Sequence, residues 1–214
     1  MRRCAALIVA LPLLFAAADV ARAETITFEQ DVVGIAPSDF ESWGTGDAGP
    51  GRWAVVSDDS VRGGHAFEQY QNERTPERVP LAIYKPFSVA NLDVALRFKP
   101  MSGSLDRSAG IAVRLTTPDN FYAVRASALT HDIRLYRVVH GRWDELASAP
   151  AQVSSRQWHA LALKAEGDRF LVTLDGQPLL AATDATFRAA GRVALCTSAD
   201  SVTRFDGLEI QPLP

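Results

Sequence analysis

The sequence predicts an all-β protein, a two-sheet antiparallel jelly-roll sandwich, and two observations support this. Short runs of alternating apolar and polar residues follow one another along the chain, separated by Gly, Pro, Asp and Asn at the spacing typical of sandwiches. Helical periodicity is nearly absent. Because there is no internal repeat, low-complexity tract or linker, the pattern indicates a single domain.

The N-terminus has the pattern of a secretory signal peptide. A basic pair is followed by an apolar run at residues 5–18 and by a small-x-small cleavage motif before Glu24. The apolar run is too short for a membrane span, and no second run follows. We therefore expect a leader at residues 1–23, one domain at residues 24–214, no membrane span after cleavage, and a periplasmic or secreted protein.

Net charge and cysteine content argue against a nucleic-acid-binding protein and against a fold held by an intramolecular disulfide. The whole chain has a formal net charge of −3 at pH 7, and loss of the leader would remove three arginines and one aspartate. Nucleic-acid-binding surfaces are basic, so we expect no nucleic-acid partner. Only Cys196 remains after cleavage, so no intramolecular disulfide can form. Its place in an apolar strand predicts a buried, unreactive thiol.

The N-terminal elements are predicted from short apolar runs. Residues 25–29, 52–57 and 65–71 are predicted strands. The polar segment 72–80 contains two prolines and is a predicted surface loop. The proline within residues 83–87 restricts that run to a sheet edge or a bulge.

Side-chain alternation is clearest in the strands that follow, because successive strand residues point to opposite faces. The pair Asp175-Gly176 predicts a hairpin turn, since that turn needs positive φ, and Gly141 predicts another. Residues 202–210 are expected to close the sheet. The predicted core-facing positions are Leu92, Val94, Leu96, Phe98, Ile111, Val113, Leu115, Tyr122, Val124, Ala126, Ile133 and Leu135.

Four segments carry a family resemblance: SAGIAVR at 108–114, NFYAVR at 120–125, the hairpin from WHAL to VTLDG at 158–176, and FDGL at 205–208. Together they resemble the concanavalin A-like lectin/glucanase superfamily, most closely its 3-keto-disaccharide hydrolase and laminin-G-like branches. The resemblance extends over residues 50–211. It implies a jelly roll with one concave face, in a superfamily of which many members bind or cleave glycans.

Arginines recur at the outward positions of consecutive predicted strands. The planar guanidinium suits carboxylates and vicinal hydroxyls, and a neighbouring aromatic ring could stack on a sugar. We interpret these positions as a carbohydrate-binding groove. The alternative is a solvated face neutralised by Asp93, Asp132 and Glu145. The residues predicted to bind carbohydrate are Arg97, Arg114, Arg125, Arg134, Tyr136 and Trp143.

Two other functions remain open. Glycoside hydrolysis needs two carboxyl groups, and glucanases of the superfamily carry them as E-x-D-x-x-E. Residues 29–34 match only the first two acidic positions, and Glu68, Glu73 and Glu77 have no assignable role, so no catalytic residue is predicted. A laminin-G-like protein-interaction module is the third function, which a flat, apolar exposed patch would favour.

A structural Ca²⁺ is the one cofactor to which the resemblance points, since many secreted jelly rolls hold one between the first and last strands. Glu29 and Asp206 would supply hard oxygen ligands. The alternative is that Asp206 caps a turn before Gly207. No two histidines have metal-ligand spacing on one strand, which argues against zinc.

Overall fold

The computed structural model describes residues 22–46 and 49–214, and in this part the chain is almost entirely β. Apart from its last two residues, the predicted leader lies outside the described part. No helix within these two ranges has the length and apolarity needed to cross a bilayer. A short 3₁₀ turn spans Arg62–Gly64.

The strands are named here in chain order. They are β1 Glu24–Ile26, β2 Phe40–Gly44, β3 Trp53–Ser57, β4 His65–Gln69, β5 Pro80–Val89, β6 Leu92–Ser102, β7 Ser108–Thr117, β8 Asn120–Ser127, β9 Asp132–Val139, β10 Arg142–Pro150, β11 His159–Glu166, β12 Arg169–Leu174, β13 Gln177–Thr183, β14 Gly191–Cys196 and β15 Val202–Pro212.

The strands form two sheets that pack face to face. The eight-stranded sheet has the order β13-β12-β11-β6-β15-β4-β3, with β1 paired to β15. The seven-stranded sheet has the order β10-β9-β8-β7-β14-β5-β2. The strand ladders are antiparallel. This confirms the predicted all-β, two-sheet antiparallel jelly-roll sandwich.

The main core lies between the sheets and follows the predicted alternation in most strands. From β6, Leu92, Val94 and Phe98 are fully buried in it. From β8, Tyr122 and Val124 are fully buried on the facing side. Both sheets contribute every second residue of their strands to one apolar layer. The residues between them therefore point to the outer faces.

Two predicted hairpin turns are confirmed. Asp175 and Gly176 join β12 to β13 with φ of 48° and 76°. His140 and Gly141 join β9 to β10 with φ of 49° and 76°. Two successive residues of positive φ match the twist of the flanking strands, which is why the Asp-Gly pair is informative in the sequence.

Strand β7 departs from the predicted alternation at Arg114. This residue has a φ of 51°, and the register with β8 shifts between Val113 and Thr117. A bulge inserts an extra residue, so side chains beyond it change face. Leu115 packs on the outer face of the seven-stranded sheet, and Arg114 points into the protein. The prediction that Leu115 faces the core and Arg114 faces outward is therefore wrong.

Arg114 joins three loops from inside the sandwich. Its side chain donates hydrogen bonds to the carbonyl oxygens of Ala90, Phe187 and Gly167, each at 2.7 Å. Its guanidinium carbon lies 5.4 Å from the ring centroid of Phe170. Burial lowers the pKa of this guanidinium. The planar fork of donors suits this arrangement, because one side chain can reach carbonyls from separate segments.

We expect Arg114→Met to destabilise the fold by about 3 kcal/mol or more. It removes three hydrogen bonds, each of which contributes roughly 0.5–1.5 kcal/mol to stability or more when the donor is charged. Urea denaturation measures the difference. The control is Arg188→Met, whose side chain is 67% exposed and should alter stability little. Equal stability of the two variants would contradict this structural role.

Candidate functional site

A cleft of about 950 Å³ lies on the outer face of the seven-stranded sheet. Outer residues of β8, β9 and β10 form one side of it, and the loop between β4 and β5 forms the other. Short segments that follow β2, β6 and β14 close it. The charged and aromatic residues that line the cleft are Glu77, Arg78, Asp106, Arg125, Tyr136 and Trp143.

Small side chains occupy the centre of this face. Ala194 of β14 lies beside Ala112 of β7, which in turn lies beside Ala123 of β8. In the next row Cys196 lies beside Gly110, where a Cβ atom would approach the Cys196 Sγ to 2.6 Å. Burial raises the pKa of the Cys196 thiol to about 12, which confirms the prediction of a buried, unreactive thiol. The centre of this face is therefore apolar and buried, and it lies outside the lining of the cleft.

Aromatic rings stand at one edge of this buried apolar centre. Trp143 meets Phe121 edge-on, with 5.5 Å between ring centroids, and meets Tyr136 in the same manner at 5.3 Å. Edge-to-face contacts of this kind are favourable and restrict the orientation of both rings. Tyr136 and Trp143 are both partly exposed. The structure thus brings two of the sequence-predicted residues together in a fixed aromatic pair.

Arg125 lies in the same cleft and is held by a buried carboxylate. Its Nε and Nη2 donate to the two oxygens of Asp106 at 2.7 and 3.1 Å. The Asp106 carboxylate also accepts hydrogen bonds from the hydroxyls of Ser108 and Ser127. Burial would raise the pKa of Asp106, but the hydrogen bonds from Arg125 and then from the serines outweigh it and lower that pKa. The pair stays ionised and rigid.

A second carboxylate fixes the loop that carries Asp106. Asp200 accepts hydrogen bonds from the backbone N–H groups of Ser104, Leu105 and Asp106 at 2.8, 2.9 and 3.1 Å. Gly103 begins this loop with a φ of 145°, and a Cβ atom there would lie 1.8 Å from the Asp106 carbonyl oxygen. Burial raises the pKa of Asp200, but these hydrogen bonds outweigh it and lower the pKa well below the ordinary value.

Arg134 lies beside Arg125 across β8 and β9, outside the lining of the cleft. Its guanidinium pairs with Asp132 at 2.6 Å and with Glu145 at 3.1 Å. Acids on the same face therefore neutralise the charge of Arg134. This is the alternative to a carbohydrate-binding groove that the sequence left open. Asp93, the third acid of that alternative, lies on β6 in the other sheet.

Two of the predicted arginines lie away from the cleft. Arg97 lies on β6 of the eight-stranded sheet, where it pairs with Asp206 at 3.4 Å and lies 5.0 Å from the ring centroid of Trp158. Arg114 is 1% exposed and points inward. The prediction of one continuous arginine row is wrong, because β6 belongs to the opposite sheet and the bulge in β7 reverses the direction of Arg114.

The residues predicted to bind Ca²⁺ do not fit such a site. Glu29 faces Arg62 at 3.9 Å, and Asp206 faces Arg97. Ca²⁺ takes six to eight oxygen ligands, and within the described ranges no group of three or more His, Cys, Asp or Glu residues could hold a metal ion. Asp206 precedes Gly207, whose φ of 57° is that of a turn.

The sequence did not indicate Arg78, which lines the cleft from the loop between β4 and β5. The residue is 2% exposed although it belongs to the predicted surface loop. Its Nη2 donates to the side-chain oxygen of Gln71, and its Nη1 is buried with no hydrogen-bond partner. Nothing in the polar composition of residues 72–80 distinguishes a buried arginine from an exposed one.

A family model of the galactocerebrosidase C-terminal lectin domain matches residues 92–213, which is more than half of the chain. The match includes β6 to β15, and therefore the strands that carry Arg125, Tyr136 and Trp143. Arg78 lies outside it. Sequence comparison with curated proteins gives no match.

Solved structures of sugar-active proteins have the same fold. A prokaryotic β-1,3-1,4-glucanase (lichenase) derived from a mouse hindgut metagenome has a TM-score of 0.63 at 12% identity, over 90% of this chain and 100% of that one. The Bacillus licheniformis β-glucanase has a TM-score of 0.60 at 8% identity, over 91% and 100%. The carbohydrate-binding module CBM66 from Bacillus subtilis has 0.59 at 17% identity, over 73% and 92%. These likenesses confirm the concanavalin A-like jelly-roll fold.

We expect Asp200→Asn to reduce the acid sensitivity of the protein. The folded-state pKa of Asp200 is lowered, so its stabilisation is present above the unfolded-state pKa of about 3.9 and is lost as the pH falls below that value. The variant should be less stable than the wild type at pH 7 and should lose less free energy of unfolding between about pH 5 and pH 2. Urea denaturation across this pH range measures both effects.

The control for this experiment is Asp59→Asn, since Asp59 is exposed and its removal should leave the pH profile unchanged. If Asp200→Asn and Asp59→Asn gave the same profile, Asp200 would not hold the loop as described.

Proposed function

Because the chain belongs to the family of the galactocerebrosidase C-terminal lectin domain, we propose that it is a carbohydrate-binding protein whose glycan lies in the cleft of the seven-stranded sheet. The observation that carries this proposal is the pairing of a rigid aromatic edge with a fixed arginine–carboxylate pair in one cleft of about 950 Å³. Ligand sites typically combine an apolar lining with a few placed polar groups.

The aromatic edge would contact the apolar face of a sugar ring. Tyr136 and Trp143 are partly exposed, and their mutual edge-on contact at 5.3 Å fixes their orientation. A site whose side chains are held before binding loses less conformational entropy when the ligand arrives. This favours Tyr136 and Trp143 as the residues that contribute most to affinity.

The polar contact would come from Arg125, whose side chain is 18% exposed. Asp106 occupies its Nε and Nη2, whereas Nη1 lies 3.8 Å from the Asp132 Oδ1, beyond hydrogen-bond distance, and keeps its donor capacity. A guanidinium held in this way can donate to a sugar hydroxyl with little loss of side-chain freedom. Arg134, which pairs with Asp132 and Glu145, would contribute little.

Hydrolysis by the ordinary two-carboxylate mechanism is disfavoured in this cleft. The mechanism needs one carboxyl as acid and a second as base or nucleophile. The described lining residues include two acids, Glu77 and Asp106. The lowered pKa of Asp106 disfavours it as the acid. Its two oxygens already accept hydrogen bonds from Arg125, Ser108 and Ser127, which disfavours it as the base or nucleophile.

The laminin-G-like alternative called for a flat apolar patch in place of a groove. Exposed apolar residues do occur at Val32, Val33 and Ile35, away from the cleft lining. The cleft, with its charged and aromatic lining, favours a sugar over a flat protein surface as its occupant. Export to the periplasm or the exterior remains part of our proposal, on the signal-peptide pattern at residues 1–23.

A glycan array followed by calorimetric titration of the best ligand tests the proposed function. We expect Tyr136→Ala to weaken binding at least about tenfold, or about 1.4 kcal/mol, because it removes one ring and frees Trp143. The matched control is Tyr70→Ala, since Tyr70 is exposed and lies outside the cleft lining.

Thermal unfolding of both variants establishes that each remains folded at the titration temperature. Absence of binding by the wild type across a broad panel of neutral and acidic glycans would contradict the proposal. So would equal affinities of the wild type and Tyr136→Ala.

A further inference from the structure

We infer that the cleft selects acidic carbohydrate, a sugar with a carboxylate or sulfate group that lies against Arg78. This inference rests on the proposed function and adds the chemical class of the ligand. Arg78 lies outside the residues that match the lectin-domain model, so it would set a property particular to this chain. Its loop forms the side of the cleft opposite the strands that carry Tyr136 and Trp143.

Arg78 is a buried cation without a charged partner among the described residues. It is 2% exposed, and within residues 22–46 and 49–214 no carboxylate oxygen forms an ion pair with its guanidinium at 4.0 Å or less. An isolated buried charge is costly, and buried arginines are ordinarily paired. An anion supplied by a ligand would remove this imbalance.

The hydrogen bonds of Arg78 are also incomplete. Nη2 donates to the amide oxygen of Gln71, which is a neutral acceptor, and Nη1 is buried with no partner. Burial lowers the pKa of this guanidinium, and the charge of Glu73 offsets part of that effect. The Arg78 guanidinium is thus enclosed by protein on one wall of the cleft, and no described carboxylate neutralises its charge.

The backbone fixes the position of Arg78. Its N–H donates to the carbonyl oxygen of Thr75 at 3.2 Å, and its own carbonyl accepts from the N–H of Ala199 at 2.7 Å. These bonds tie the loop to the segment after β14, so the guanidinium stays beside the cleft. A charge held in place in this way attracts a ligand anion without the entropic cost of ordering a long side chain.

The other charges in the cleft leave Arg78 as the available cation. The charge of Arg125 is neutralised by Asp106 at 2.7 Å. Glu77 also lines the cleft, but its side chain is exposed, and water and salt screen an exposed charge more strongly than a buried one. The electrostatic preference therefore favours a negative group on the side of the cleft that Arg78 forms.

The test compares each acidic oligosaccharide with its carboxyl-reduced, neutral counterpart by isothermal titration. The probes are trigalacturonate and triglucuronate with their reduced forms, and a sulfated galactan oligosaccharide with its desulfated form. We expect the wild type to bind at least one acidic form about tenfold or more tightly than its neutral partner, a difference of about 1.4 kcal/mol. A preference confined to the sulfated pair would identify the anion as sulfate.

Three variants test whether Arg78 causes the preference for the acidic form. Arg78→Gln should abolish it by weakening the binding of the acidic form about tenfold, whereas Arg78→Lys should retain part of it. Arg134→Gln is the matched control, because Arg134 lies on the same sheet face but is already paired. It should keep the full preference. If Arg78→Gln does not fold, salt dependence in the wild type decides: only acidic forms should weaken as salt rises.

Equal binding of acidic and neutral forms by the wild type would overturn the selection for acidic sugars and leave the proposed function intact. Retention of the preference in Arg78→Gln would overturn the role of Arg78. If the wild type binds neither member of any pair nor any glycan on the array, the proposed function itself fails.

Discussion

The Asp106 carboxylate is the contact on which the cleft depends. It lies in the loop after β6 and accepts hydrogen bonds from Ser108 at the start of β7 and from Arg125 and Ser127 on β8. Asp200 in turn holds the backbone of that loop. Two buried carboxylates, each saturated with donors, therefore set the position of the one guanidinium that reaches the cleft from the strands. Networks of this kind are rigid because every member is satisfied.

The seven-stranded sheet is apolar on both faces, and this limits where chemistry can occur. One face forms the main core, and the outer face carries a second buried cluster with Ala112, Ala123 and Ala194 at its centre. In the cleft, the charged and aromatic side chains come from β8–β10, from the covering loop and from the segment after β6. Partly exposed rings beside a few placed polar groups suit a ligand with apolar ring faces and a polar rim.

The sequence predicted the fold and the direction of several strand residues that line the cleft, for physical reasons. Alternation with a period of two assigns faces within a strand, so Arg125 and Tyr136 were placed correctly. It does not state which sheet a strand joins, and Arg97 was therefore misplaced. It also fails across a bulge, as at Arg114, where φ is 51°. Arg78 was missed because burial of a loop depends on the surface beneath it, which no local pattern encodes.

The most direct test of the proposed cleft is a titration of the protein with its best glycan, followed by NMR of the tryptophan indole N–H signals. The chain has four tryptophans, and each gives one such signal. Trp143 lines the cleft, whereas Trp158 lies beside Arg97 of the eight-stranded sheet. A glycan bound in the cleft should produce a saturable shift of the Trp143 signal and none of the Trp158 signal. A shift of Trp158 alone would contradict binding in the cleft.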